Sequence, residues 1–349
     1  MPERAVVTGL GLAAGGIDRA ADLLDALEDG QEPSVFDPRG RRGERRSRYH
    51  DAATLMALCA ATEALDGMPG AGDDHGETAG VVVSSNLGNL DTVCRVVEVL
   101  RRGSTESLSP MDLPKASSNV IASTLAIQFD CRGVNLTVCN GASSGTDAIY
   151  LAAVAVRAGR ARRVLVVGVE AAHPPARRLL EAADGGGGNG GNGKARLVGG
   201  AAAVVIEAAA SAASRGARTY AQIDAYTHHM GESPVLRSIE AARARAGERQ
   251  PGLWIVPEED GPAADVETSG VPFDGGWTPR VVDLSVRLGL LYGALGVFQC
   301  VAASLWLQSA ATNDGHGRTA VVTSGRRREG ASSLLMRVAG DGHSKDQGE

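Results

Sequence analysis

Apolar residues in this chain fall into two kinds of run. Residues 5–10 (AVVTGL), 79–85 (AGVVVSS), 163–169 (RVLVVGV) and 197–207 (LVGGAAAVVIE) are short, apolar and bounded by turn residues, as strands are. Strands apolar along their whole length belong in a sheet covered on both faces, because neither side meets water. Between them lie longer stretches with small and apolar residues at helical spacing, residues 18–27, 52–65 and 90–102, with an Ala-rich run from Thr146 to about Ala158. Strand and helical stretches alternate, which predicts a layered α/β fold.

One segment imitates a membrane span. Residues 288–307 hold only Gln299 and Ser304 as clearly polar side chains, and their length would cross a bilayer. The expected alternative is a buried Gly/Ala-rich helix between layers of a large core. Residues 184–194 (DGGGGNGGNGK) read as a flexible glycine linker; no Lys-Ser/Thr opens a helix after them, so they are not a phosphate-binding loop.

The chain has 349 residues, enough for two domains or one large α/β unit. A net charge of -6 and an aromatic content of 3% argue against a general nucleic-acid surface. Cys59, Cys94, Cys131, Cys139 and Cys300 are scattered without CxxC or metal-ligand spacing, so neither a disulfide framework nor a metal site is expected. They suit a reducing cytosol, and the opening MPERAVVTGLG lacks a basic-then-apolar leader; the expected location is cytoplasmic. Gly9, Gly11, Gly15 and Gly16 miss the G-x-G-x-x-G spacing, so dinucleotide binding is not indicated.

The stretch with the most chemistry in it is residues 132–150, RGVNLTVCNGASSGTDAIY. An alternating strand-like run (Val134, Leu136, Val138) crosses a tight elbow, Asn140-Gly141-Ala142-Ser143-Ser144-Gly145, and enters the Ala-rich helical run. Such an elbow aims a side chain into a cleft at a helix N-terminus, where free N–H groups and the helix dipole favour a thiolate or an oxyanion. The position built for a nucleophile is Ala142.

These residues resemble the active-site elbow of the β-ketoacyl synthases, condensing enzymes of the thiolase fold, whose pattern is R-G-P, a strand, then A-C-[ST]-[SG]-G and a helix. The family's cysteine falls on Ala142. Residues 163–170 resemble its x-V-x-V-x-G-x-x-E strand, and Asn86-Leu87-Gly88-Asn89 its glycine turn. Near residues 208–218 the pattern starts again, with residues 220–226 as counterpart of the first strand and His228-His229-Met230 similar to the family's D-A-x-H-x-T turn. The resemblance implies two related βαβαβαββ-type halves, residues 1–210 and 211–349, in an α-β-α-β-α layered architecture.

The family's other reactive groups are also missing. Its first histidine maps near Pro257, in the stretch Ile255-Val256-Pro257-Glu258-Glu259, where no histidine occurs. Its K-x-x-x-G-H-x-x-G-A-x-G motif reads Ser285 for the lysine and Leu290 for the histidine, while Gly293-Ala294-Leu295-Gly296 is intact. The glycine-rich phenylalanine gate is replaced by residues 323–330, TSGRRREG. Ser143 and Ser144 suit N-capping, and the seven histidines assemble no triad in the sequence.

A condensing-enzyme fold without its thiolate and histidines resembles the chain length factor of bacterial type II polyketide synthases. That resemblance implies a non-catalytic subunit, heterodimeric with an active ketosynthase, that shapes a polyketide or polyene elongation tunnel. It implies no cofactor beyond the 4'-phosphopantetheine-tethered substrate of an acyl carrier protein, no nucleic-acid partner and no membrane. Many members carry glutamine where this chain has Ala142. Pro114 and Asn119 match the family's acyl-pocket segment, which puts Met111, Asp112 and Leu113 on a tip that would cross to the partner subunit. The basic cluster Arg39, Arg41, Arg42, Arg45 and Arg46 either meets an acidic carrier protein or is a solvated loop. Two rivals stand beside this reading: a thiolase-like acyltransferase with Cys139 as relocated nucleophile, and a non-catalytic homodimer that binds acyl carrier protein.

Overall fold

The computed structural model describes residues 3–43, 50–66, 78–103, 105–110, 112–183, 197–247, 250–258, 279–309, 319–326 and 330–339. Its strands are β1 (Ala5–Ala13), β2 (Ala79–Ser84), β3 (Asn135–Val138), β4 (Arg163–Glu170), β5 (Gly200–Ala208), β6 (Ala221–His229), β7 (Leu253–Ile255), β8 (Arg280–Val282), β9 (Thr319–Arg326) and β10 (Gly330–Arg337). They form one mixed sheet in the order β3-β2-β4-β5-β1-β6-β10-β9-β7-β8. Read outward from the centre, both wings follow the same plan. From β1 the chain steps antiparallel to β5 and β4, then parallel to β2 and β3. From β6 it steps antiparallel to β10 and β9, then parallel to β7 and β8. A short antiparallel junction, Val6 opposite Gln222 and Val7 opposite Ala221, joins the wings.

The helices that carry the packing are α1 (Ala52–Leu65), α2 (Leu90–Arg101), α3 (Val120–Gln128), α4 (Ser144–Arg157), α5 (Pro174–Ala183), α6 (Pro234–Arg245) and α7 (Leu295–Gln308). α1 and α3 cover one wing, α6 covers the other, and α4 and α7 pack together between them. That is the five-layer arrangement the resemblance implies. Central helices must be apolar all round, and α7 obeys: Leu295, Val297, Phe298, Cys300, Val301, Trp306 and Leu307 are all buried. Each large aliphatic or aromatic side chain so buried contributes roughly 1.5–3 kcal/mol. The two helices start against each other, because a Cβ on Gly296 would stand 2.3 Å from the Thr146 backbone nitrogen.

Four expectations need correction. The buried run over residues 288–307 becomes helix only at Leu295, because Gly289 (φ 66) and Tyr292 (φ 46) turn the backbone left-handed before it. No helix among the described residues is long and apolar enough to cross a membrane. Residues 18–27 start as a 3-10 turn, Ala20–Asp22, before a short helix at Leu23–Glu28. His228 and His229 lie in β6 and not in a turn, held opposite Ser332 and Ala331 by the β10 ladder. The strand at residues 197–207 starts at Gly200, after the isolated bridge of Leu197 to Leu290. The glycine linker lies outside the described residues.

Candidate functional site

The strand β3 leads through Cys139 and Asn140 into a 3-10 turn, Gly141–Ser143, and then α4. Gly141 takes the left-handed conformation (φ 66) that bends the chain there. Asn86, just past β2, clamps this bend from both sides. Its Oδ1 accepts from the Gly141 N–H at 3.1 Å, and its Nδ2 donates to the Gly141 carbonyl at 3.0 Å. The Asn140 N–H donates to Ser144 Oγ at 2.6 Å, and that hydroxyl donates to the Gly141 carbonyl at 2.8 Å. Behind the clamp, the buried Glu170 at the end of β4 accepts from the N–H groups of Asn86 (2.7 Å) and Leu87 (2.9 Å). Burial pushes the Glu170 carboxyl up to about 7, against the downward pull of those hydrogen bonds. The elbow is therefore fully built, and what it presents is the methyl group of Ala142, which is 3% exposed.

One turn into α4, Asp147 gathers donors from both wings. Its Oδ2 accepts from Asn140 Nδ2 (2.7 Å) and Ser143 Oγ (3.2 Å). Its Oδ1 accepts from the Tyr226 hydroxyl (2.6 Å) and Ser332 Oγ (2.9 Å). Because the Ser332 proton goes to Asp147, His228 Nδ1, 2.8 Å from Ser332 Oγ, must carry a proton and donate. Tyr150 stacks on Tyr226 with ring centroids 4.1 Å apart. Burial first, and then Asp147, drive the Tyr226 hydroxyl well above its ordinary range, so it remains a donor. Ser332 is fully buried, so the chain His228–Ser332–Asp147 presents no nucleophile. The sequence hid it, since its members lie at 147, 226, 228 and 332.

A second elbow stands against the first. Leu290 and Leu291 lead to a 3-10 turn, Tyr292–Ala294, and then α7. Here Tyr292 occupies the left-handed position. Glu258, 5% exposed and three residues past β7, accepts from the N–H groups of Leu291 (2.5 Å) and Tyr292 (2.9 Å). Burial lifts its carboxyl to about 8, while those amides and Arg326 pull it down. Arg326, the last residue of β9, lies over the Tyr292 ring at 5.1 Å. The elbows touch at Gly293, where a Cβ would stand 1.9 Å from Asn86 Nδ2 and 2.7 Å from Glu170 Oε1. That contact gives the retained Gly-Ala-x-Gly its physical reason.

The sequence-derived positions separate clearly. Leu290, the degenerate histidine position, packs with Leu87, Leu180 and Leu197 in an apolar cluster. Pro257 is buried, and its neighbour Glu258 is the polar group that reaches the elbow. A charged residue directly after the apolar run LWIVP was the one available signal for it. Ser285 bonds only locally, donating to Asp283 Oδ1 at 2.7 Å. Cys139 is exposed, yet partial burial and then the nearby Glu170 raise its thiol above the ordinary cysteine value. Ser143 stands just before α4 without capping it, and its hydroxyl reaches Asp147 and the Asn140 carbonyl instead. In the acyl-pocket segment, Asp112 is buried and paired through both oxygens with Arg95 at 2.9 Å, which lowers its carboxyl. Leu113 is 63% exposed, and Asn119 is exposed at the start of α3, accepting from Ser117 Oγ. Met111 lies outside the described residues, as do Arg45 and Arg46. Arg41 turns back onto the chain, donating to the carbonyls of Leu12 and Asp18.

Among the described residues, no group of three or more His, Cys, Asp or Glu side chains could hold a metal. Ala142 and Leu290 place neither a thiol nor an imidazole at the two elbow positions, and the elbow amides are taken up by Ser144, Asn86 and Glu258.

Comparison with known proteins agrees with this geometry. Residues 20–211, more than half of the chain, match the family model of the β-ketoacyl synthase N-terminal domain. The 3-oxoacyl-[acyl-carrier-protein] synthase I of Hordeum vulgare chloroplasts is 26% identical over 199 residues, 50% of this chain and 43% of that protein. A 3-oxoacyl-[acyl-carrier-protein] synthase 2 of Vibrio harveyi is 25% identical over 194 residues, 49% of this chain and 46% of the relative. The matched region thus spans less than half the length of these relatives. Among solved structures, a type II polyketide synthase ketosynthase in complex with its acyl-carrier protein superimposes with a TM-score of 0.80 at 18% identity, covering 97% of this chain and 99% of the other. The ishigamide ketosynthase/chain length factor gives 0.79 at 20% identity, covering 97% and 100%. A β-ketoacyl synthase of Burkholderia phymatum gives 0.78 at 17% identity, covering 96% and 99%. Those likenesses establish a thiolase-like ketosynthase fold, and with the matched domain they show that the chain belongs to the β-ketoacyl synthase family.

Proposed function

We propose that this chain is a non-catalytic ketosynthase-like subunit, a chain length factor, that pairs with an active ketosynthase and shapes the tunnel in which the partner's polyketide or polyene chain grows. The observation that carries the reading is the first elbow: clamp, brace and helix start are all in place around Ala142, which cannot hold an acyl group. At the second elbow Leu290 belongs to an apolar cluster, so no imidazole stands ready to polarise a thioester.

A partner is supported by the edge of the sheet. β3 is the last strand of its wing, and Leu136 on it is 42% exposed. The flanking helices α3 and α4 add Ile127, 83% exposed, and Leu151 and Val154. An open strand edge amid exposed aliphatic side chains is an association surface in a protein that must stay soluble. An acyl carrier protein bringing its phosphopantetheine-tethered substrate to the pair completes the proposal; the ketosynthase complex among the similar structures contains such a carrier. The Cys139 acyltransferase is less well supported, because partial burial and Glu170 both disfavour the thiolate it would need.

Co-expression with a cysteine-bearing ketosynthase tests the reading. A one-to-one complex by native mass spectrometry is expected, with poor solubility of this chain alone. A stable monomer that ignores the ketosynthase would refute it, and a stable homodimer would favour the carrier-binding alternative.

A further inference from the structure

Glu258 lies in the stretch to which the family's first histidine maps, and its carboxyl sits where the second elbow gathers backbone donors. Leu291 has right-handed geometry (φ -112, ψ -13) and Tyr292 left-handed (φ 46). That alternation turns successive N–H groups to one side and makes an anion-binding nest. The fit is one donor per oxygen, Leu291 to Oε1 at 2.5 Å and Tyr292 to Oε2 at 2.9 Å. Burial works against its charge and lifts its carboxyl to about 8, while the neighbouring donors pull the other way. The N-terminus of the 14-residue α7 follows directly, and Arg326 acts on Glu258 from the end of β9, opposed by Asp283. The first elbow satisfies the matching amides with neutral acceptors, Ser144 Oγ on Asn140 and Asn86 Oδ1 on Gly141.

We infer that Glu258 supplies a built-in carboxyl group that occupies the second elbow's nest, holding Tyr292 in its left-handed conformation and denying both N–H groups to an outside carboxylate or thioester oxygen. It is a positioning residue. Cutting its side chain back leaves two converging amides in a buried pocket of carboxylate size, which a small carboxylate such as formate fills. The inference does not depend on the identity of any partner.

The test is thermal unfolding of the full chain, with any co-purifying partner, in sodium formate against sodium chloride of equal ionic strength. Glu258→Ala should unfold several degrees below the parent, and formate should restore at least half of that loss with a saturating dose dependence. The parent and Glu258→Gln, whose pockets stay filled, should not respond to formate beyond chloride. If Glu258→Ala is not soluble, the same contrast is read as soluble yield on refolding, higher in formate than in chloride. Equal effects of formate and chloride on Glu258→Ala, or an equal formate response in all three proteins, would overturn the inference.

Discussion

The two elbows are built on one plan and finished differently. Each follows an edge strand of its wing, passes a left-handed residue, makes a 3-10 turn and starts a 14-residue central helix. In the first, glycine takes the left-handed position and the neutral side chains of Asn86 and Ser144 hold the amides. In the second, a tyrosine takes it and a buried carboxyl group does the holding. The backbone survives both solutions, because what it requires is acceptors at the right amides. The fold can therefore persist while the side chains that would do chemistry, at 142 and 290, become a methyl group and an apolar contact.

The comparison breaks hardest where the elbows meet. Gly293→Ala would push a methyl group onto Asn86 and Glu170, and should cost about 3 kcal/mol or more in urea unfolding. A loss below about 1 kcal/mol would show that the elbows are not locked together. Asp147→Ala should come next, at about 2 kcal/mol, because it leaves the buried Ser332 and the half-buried Tyr226 without their acceptor and frees Asn140 from its own. Its thermal midpoint should fall clearly further than that of Ser143→Ala, which removes one hydroxyl with two long contacts, to Asp147 and to the Asn140 carbonyl.

Glu170 sharpens the contrast through pH. Its carboxyl rises from 4.5 to about 7 on folding, so folding favours its neutral form. The resulting stability is whole below about pH 4.5, declines as pH rises, and is gone above about pH 7, a change of roughly 3 kcal/mol. Glu170→Gln should flatten this part of the profile, lying below the parent at pH 5 and nearer to it at pH 8. A variant profile parallel to the parent's would assign the pH dependence elsewhere.

Much of this architecture was legible in the sequence because it rests on local pattern. Continuous apolar runs marked β1, β2 and β4, the small-residue elbow marked the start of α4, and the absence of a nucleophile at Ala142 needed only alignment to a motif. The rest depends on distance. Asp147 looks like an ordinary first-turn acid until the sheet brings Tyr226 and Ser332 to it. Asp112 looked like part of an exposed tip, and its pairing with Arg95 on α2 is visible only once the helices are packed. The late start of α7 follows from a left-handed tyrosine, which hydrophobicity does not encode.

The central claim, that this chain shapes a condensation it does not perform, is tested most directly by locating the acyl group. The co-expressed pair would be incubated with acyl-loaded carrier protein, and each polypeptide weighed intact. The account predicts the acyl mass on the partner alone, with this chain unmodified. An acyl adduct on this chain, mapped to Cys139 or to any other residue, would contradict it.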